Sequence, residues 1–489
     1  MSHPSSFYWH DYETWGAQPA IDRPAQFAGL RTDLDFNPIG EPLVVYARPA
    51  DDFLPQPAAC LITGITPQLA HEKGALEADF FAFIHEQLAR PGTCALGYNS
   101  LRFDDEVTRY GLYRNFFDPY AREWQNGNSR WDMIDVVRLT RALRPEGIEW
   151  PDKEPGVSSF RLEDLTAANG IEHSGAHDAL ADVRATIAVA RLIRERQPRL
   201  FAFAFGNRDK QKLAAQLNVR AATPVLHVSA RYPARLGCIA AVLPLALTPG
   251  NRNGVIVYDL RVDPSPLLRL SVDQIRDRLY TPSAELPEGA ERIPLKVVHI
   301  NRAPVIAPMG TLTDAARERW QMDAAAEARH REALRRATGL GQKLAEVFDS
   351  RDRFPPQPDP DRDLYGSLLS DGDRRRCEQV RAARPEDLAA LQPAFEAPKL
   401  HELLFRYRAR NWPETLSREE RLRWDAFRRA RLTEPGAGGT IVLDEYRRQL
   451  SRLAVDGDLT NAQRAVLSAL LDWPDKDAWL GELDAANFT

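Results

Sequence analysis

Cysteine is scarce. The 489 residues hold four, Cys60, Cys94, Cys238 and Cys377, and no two are close in the chain. That spacing argues against a zinc site or a disulfide framework and fits a reducing cytoplasm. Long apolar stretches are also missing: no run of about 18 apolar residues occurs, so nothing reads as a membrane span. The start, Met1-Ser2-His3-Pro4, lacks a basic segment followed by an apolar one, and no secretory signal is expected. Strong basicity is absent too, with a formal net charge of −5. Nucleic-acid binders are often basic, so this weighs mildly against one. A local positive groove or bound metal ions can still supply the charge. There is no internal repeat and no long low-complexity tract.

What is present is an ordinary globular composition, 44% hydrophobic and 27% charged, over a length that suits two to four domains. Residues 1–197 alternate strand-like and helix-like segments. Phe7 to Tyr12, Pro42 to Ala47 and Thr93 to Tyr98 read as strands. Asp79 to Leu88 and Ala179 to Arg194 carry helical spacing, the latter through Leu180, Val183, Ile187, Ala190 and Ile193. This implies an α/β domain with a mixed central sheet and flanking helices. Gln197-Pro198-Arg199 marks its exit. Residues 198–353 begin with short β-like runs at Val225 to Val228, Cys238 to Leu243, Val255 to Leu260 and Leu295 to Ile300, as in a small barrel or sandwich, and turn helical beyond Thr313. The proline-rich stretch Phe354 to Pro360 opens a last region, 354–489, which reads as all helix from about 361 on.

Three polar constellations stand out. On the first strand Asp11 and Glu13 are two residues apart. They therefore share a face with roughly 7 Å between them, a repulsion that a divalent cation bound by oxygen ligands would relieve. A solvated strand end is the plain alternative. After the third strand comes Asn99-Ser100-Leu101-Arg102-Phe103-Asp104-Asp105-Glu106, where Asp104 or Asp105 taken alone reads best as a helix cap. Finally, Gly175 breaks the chain before the strong helix, with His177 at its start and Asp182 about a turn in. An imidazole there can act as a general base near neutral pH. Alone, the segment reads as a surface histidine and a solvated aspartate.

Taken in order, these pieces resemble the DEDD-type 3′–5′ exonucleases of the histidine subclass, whose fold is ribonuclease-H-like. Ile62-Thr63-Gly64-Ile65-Thr66 is similar to the loop that follows an early strand there. Further segments resemble the bacterial exonuclease I family: His10 to Thr14, Asp22 to Phe27, Arg102 to Arg109, Asn128 to Asp132, Ser159 to Glu163 and Arg406 to Asn411. They run over most of the chain. The resemblance implies a Src-homology-3-like, β-barrel-containing domain after the exonuclease domain, then a helical C-terminal domain, together wrapping a strand into a C-shaped passage. It implies hydrolysis of single-stranded DNA from the 3′ end to 5′-mononucleotides, processively, in DNA repair or recombination.

By the same resemblance, Asp11, Glu13, Asp104 and Asp182 hold two Mg²⁺ ions about 4 Å apart, with Mn²⁺ a possible substitute. Asp11 would bridge the ions, Asp104 could act through water, and His177 would take the proton from the attacking water. Glu13 and Arg161 match substrate-contacting positions, and Arg109, Tyr120, Trp124 and Arg138 match positions along the single-strand path. Stacking aromatics and phosphate-clamping guanidinium groups suit that task. Taken singly, Tyr120 and Trp124 read equally well as core residues, and Arg109 and Arg138 as a solvated helix face. The arginines of Glu402 to Arg431 could line the passage or solvate outer helix faces. Arg144 is a candidate contact for the acidic tail of single-strand-binding protein. A cytoplasmic monomer is the default expectation. Two rival readings stand beside it, an exoribonuclease using the same chemistry and a scaffold that has lost catalysis.

Overall fold

A computed structural model describes residues 4–173, 175, 178–349, 357–366, 368–455 and 458–476. The chain divides into two compact units, one of Ser2–Ser129, His173–Arg184 and Pro356–Thr489, the other of Arg130–Glu172 and Ala185–Pro355.

The first unit is built on strands β1 (Ser6–Thr14), β2 (Pro24–Thr32), β3 (Leu43–Tyr46) and β4 (Thr93–Gly97), in the order β3-β2-β1-β4. β1 runs antiparallel to β2 and parallel to β4, so the sheet is mixed, as expected. β1 is buried on both faces along most of its length, which is why it reads as a near-continuous aromatic run. β2 was not anticipated. Its sequence, PAQFAGLRT, holds one β-branched residue, and pairing with β1 and β3 rather than intrinsic propensity makes it a strand.

Helices α1 (Pro57–Thr63) and α2 (Pro67–Lys73) follow β3. Ile62 to Thr66 is therefore a helix end, a left-handed Gly64 (φ 71°) and the Thr66 cap of α2, rather than a loop following a strand. α3 (Glu77–Leu88) lays Phe80, Phe81, Ile84 and Leu88 into a core with Tyr8, Tyr12 and Phe27, while Phe83 faces outward. α4 (Asp104–Arg114) follows β4 and adds Val107 and Leu112 to that core.

Among the described residues the C-terminal region is helical wherever it is regular, as expected, and it belongs to this same unit. Tyr446, Leu450, Leu467 and Leu470 share one core with Trp15, Phe53, Leu54 and Cys60. Leu400, Leu403 and Tyr407 share another with Tyr110, Tyr113 and Phe116.

In the second unit a five-stranded antiparallel sheet runs in the order Leu295–His299, Asn251–Asp259, Ile239–Thr248, Val225–Val228, Val305–Pro308. Four strands coincide with the β-like runs of the sequence. Val305–Pro308 is additional, and two helices, Pro198–Gly206 and Lys210–Gln216, precede the sheet where only β-like texture was expected.

Candidate metal-dependent active site

The site lies at the C-terminal end of β1. Asp11 and Glu13 face Ala28 and Gln26 of β2. The Gln26 side-chain oxygen accepts the Ala179 amide at 3.3 Å, which docks the first turn of helix Ala179–Arg196 against the sheet. Asp182 stands on that turn. Asp11, Glu13 and Asp182 each offer an oxygen, and the three lie within 4.8 Å of one another. Strand period and helix phase are local, but this convergence is tertiary.

Asp104 is the first residue of α4. Its carboxylate accepts the Tyr12 amide of β1 at 3.1 Å, and the start of α4 carries no side-chain cap. The cap reading is thus replaced by a bond to the backbone between Asp11 and Glu13. Asp105 is buried against Arg122 at 2.6 Å. Gly97 lets β4 turn into this loop, since a Cβ there would sit 2.4 Å from the His10 carbonyl oxygen.

His173 was missed in the sequence. Its Nε2 lies 2.6 Å from Asp182 Oδ1. It sits nine residues before Asp182, in no periodic relation to it, so the sequence carries no signal for the pair. His177 lies outside the described residues. Gly175, at φ 88°, accepts the Asp178 amide at 2.9 Å just before the helix.

The electrostatics are those of crowded acids. Burial first, then the charges of Asp104, Glu13, Asp182 and Asp178, hold Asp11 well above the usual carboxylate range. Burial, then Asp182, Asp104 and Asp178, push Glu13 up to about 8. A cation among these oxygens would reverse the repulsion, and an all-carboxylate donor set fits a hard divalent ion.

The other predicted residues divide. Within the same unit Arg109 is buried. It donates to both Glu123 oxygens at 2.7 and 3.0 Å and to Glu106 at 2.6 Å, so it is no solvated helix face. Tyr120 is half-buried under the Arg109 guanidinium, 5.5 Å from ring centre to Cζ. Trp124 is 66% exposed, which removes the core reading. In the other unit Arg138 is buried against Asp135 at 2.9 Å and stands over Phe160, again no solvated face. Arg161 precedes helix Leu162–Ala168 with its side chain 69% exposed, near Glu163 at 3.2 Å. Arg144 donates to the Thr311 carbonyl at 3.1 Å.

The arginines of Glu402 to Arg431 divide: Arg418, Arg421 and Arg423 are exposed, as on a solvated outer face. Arg406, Arg408, Arg428 and Arg431 are buried, so these four do not solvate outer faces. Arg410, equally enclosed, binds Asp52 at 2.8 Å and Asp361 at 2.5 Å; Arg406 binds Asp361 at 2.8 Å and Asp359 at 2.6 Å. They form ion pairs with carboxylates of their own unit.

Comparison with known proteins extends these observations over the chain. An exonuclease family model matches residues 8–190, an exonuclease I SH3-like domain matches 208–350, and an exonuclease I C-terminal domain matches 358–476. Exodeoxyribonuclease I of Escherichia coli is 51% identical over 425 residues, 87% of this chain and 89% of that protein. The structure of a moderately thermophilic exonuclease I from Methylocaldum szegediense aligns with a TM-score of 0.93 at 55% identity, covering 97% of this chain and 99% of that one. That of E. coli exonuclease I in complex with a dA16 oligonucleotide aligns with a TM-score of 0.93 at 48% identity, covering 96% and 99%. With the acidic cluster on an exonuclease domain and both accessory domains matched, the chain belongs to the exodeoxyribonuclease I family.

Proposed function

We propose that this protein is a 3′–5′ exodeoxyribonuclease that hydrolyses single-stranded DNA processively to 5′-mononucleotides, serving DNA repair or recombination in the cytoplasm. The convergence of Asp11, Glu13 and Asp182 within 4.8 Å, with Asp104 fixed to the same strand, carries the reading. Asp11, Glu13, Asp104 and Asp182 are the residues that would hold two Mg²⁺ ions, with Mn²⁺ a possible substitute. When bound, such ions lower the pKa of a coordinated water and stabilise charge on the leaving oxygen.

The chain's own contributions are positional. β1 presents Asp11 and Glu13 as a fixed pair, the Tyr12 amide holds Asp104 beside them, and Gln26 seats the turn that carries Asp182. His177 accepts the proton of the attacking water. Arg161, Arg109, Tyr120, Trp124 and Arg138, with Glu13, contact the strand; exposed Trp124 offers a face for base stacking. Arg144 contributes to capture of the acidic tail of single-strand-binding protein. The working form is a monomer with domains at 1–197, 198–353 and 354–489. Among the described residues no helix is long and apolar enough to cross a membrane.

The test is a time course on a matched DNA and RNA oligomer with labelled 3′ ends, with Mg²⁺ or EDTA. Mononucleotides should appear from DNA, with Mg²⁺ only, and Asp11→Ala should abolish release without loss of fold. Preference for RNA, or unchanged release by the variant, overturns the reading.

A further inference from the structure

The face of β1 opposite Asp11 holds a second polar site. Tyr8 and Asp11 stand three residues apart on one strand, so their side chains leave opposite faces of the sheet. Tyr8 pairs with Arg31 of β2, and cross-strand partners project to the same side. The Arg31 guanidinium lies over the Tyr8 ring, 4.9 Å from its centre. A Cβ at Gly29 would fall 2.2 Å from the Tyr8 hydroxyl, so this glycine leaves the space the hydroxyl occupies. Beside these groups lies a cavity of about 330 Å³ whose lining includes Tyr8, Arg31, Glu41, Leu43, Gln87 and Arg90.

Arg31 is 8% exposed. It donates to Ser6 Oγ at 2.7 Å, Thr93 Oγ1 at 3.0 Å and the Gln87 carbonyl at 2.6 Å, and all three acceptors are neutral. Its Nε and the Tyr8 hydroxyl are buried without a hydrogen-bond partner among the described residues. Burial, then the like charge of Arg90, press the guanidinium toward its neutral form. Among the described residues this buried cation is held by neutral acceptors without a counter-ion, which is a costly arrangement. The one carboxylate of the lining, Glu41, is exposed. Among the described residues Arg90 has only a solvent-facing pairing with Glu86 at 3.6 Å, which holds it weakly.

We propose that this cavity binds a phosphate group, with Arg31 as its buried partner, Arg90 as its solvent-side partner and Tyr8 as a neutral donor. Its volume stands at the lower end of small-molecule pockets, roughly 300–1,000 Å³, so it admits a nucleoside monophosphate as well as free phosphate. Both carry the chemistry that a guanidinium pair recognises.

The experiment is calorimetric titration of the full chain in EDTA, which keeps divalent ions from drawing nucleotides to the carboxylate centre. The probes are inorganic phosphate, deoxyadenosine 5′-monophosphate and deoxyadenosine. Phosphate and the monophosphate should bind, and deoxyadenosine should not. Binding of the monophosphate alone supports the site with a nucleotide as occupant. Arg90→Ala should weaken binding about tenfold, the loss of one charge-assisted contact, with nuclease turnover unchanged. Tyr8→Phe should weaken it severalfold yet raise Tm in phosphate-free buffer, because a buried, unpartnered hydroxyl is removed. The proposal falls if neither phosphate carrier binds, if deoxyadenosine binds equally, or if both variants bind with wild-type affinity.

Discussion

Glu13 and Arg410 show how the neighbours of a buried charge decide its fate. Glu13 sits among like charges, and its carboxyl is raised from 4.5 to about 8. The folded state therefore binds this proton more tightly than the unfolded chain does. The resulting stabilisation is complete below about pH 4.5 and is lost as pH rises through about 8. Metal-free protein should accordingly lose Tm across that window, Glu13→Gln should flatten the loss, and Mg²⁺ should suppress it; thermal denaturation in EDTA and in Mg²⁺ checks this. Asp52 and Asp361 behave oppositely. The guanidinium of Arg410 holds both well below the usual range, Asp52 being pressed further by Arg431 and Arg23, and Asp361 by Arg23 and Arg406. Their stabilisation is present above the unfolded carboxylate range and disappears as pH falls through the folded values. Arg410→Ala leaves both carboxylates buried and short of a partner, and should cost about 3–5 kcal/mol in urea unfolding.

Helix α4 illustrates how packing overrides propensity. Gly111 lies within it, and on propensity alone Gly→Ala in a helix gains up to about 1 kcal/mol. A Cβ at Gly111, however, would fall 1.8 Å from Phe81 Cζ of α3. Gly111→Ala should therefore destabilise by about 1–3 kcal/mol, the usual range for overpacking, and lower Tm; an unchanged or raised Tm would show that the α3–α4 contact yields easily. The same distinction explains which elements were legible beforehand. Helix Ala179–Arg196 announces itself by periodicity, and Val225–Val228 by β-branched residues between turn signals. β2 does neither, because its partners rather than its residues make it a strand.

The two compact units do not follow the linear order of the chain. The C-terminal helices share hydrophobic cores and buried ion pairs with the segment that carries β1 to β4. A fragment ending at residue 197 would expose Trp15, Phe53, Leu54 and Cys60 and leave Asp52 without Arg410. Such a fragment should fail to give a cooperative thermal transition, with near-ultraviolet circular dichroism as the readout. A cooperative transition with wild-type nuclease activity would show the C-terminal helices to be dispensable for folding.

Local chemistry is legible in the sequence by itself. A period of two places Asp11 and Glu13 on one face of β1, and a period of 3.6 fixes Asp182 to the first turns of a helix. Residue types predicted hard-ion ligands. The tertiary structure decided what those residues meet. It brings Asp182 to the β1 pair, turns Asp104 from a cap into a partner of the Tyr12 amide, and sets His173 on Asp182. It also buries Arg406, Arg410 and Arg431, which the sequence presents only as a basic helical stretch. The physical reason is range: periodicity reports which face a side chain takes, whereas its charge partner can lie 358 residues away, as for Arg410 and Asp52, and only folding selects it.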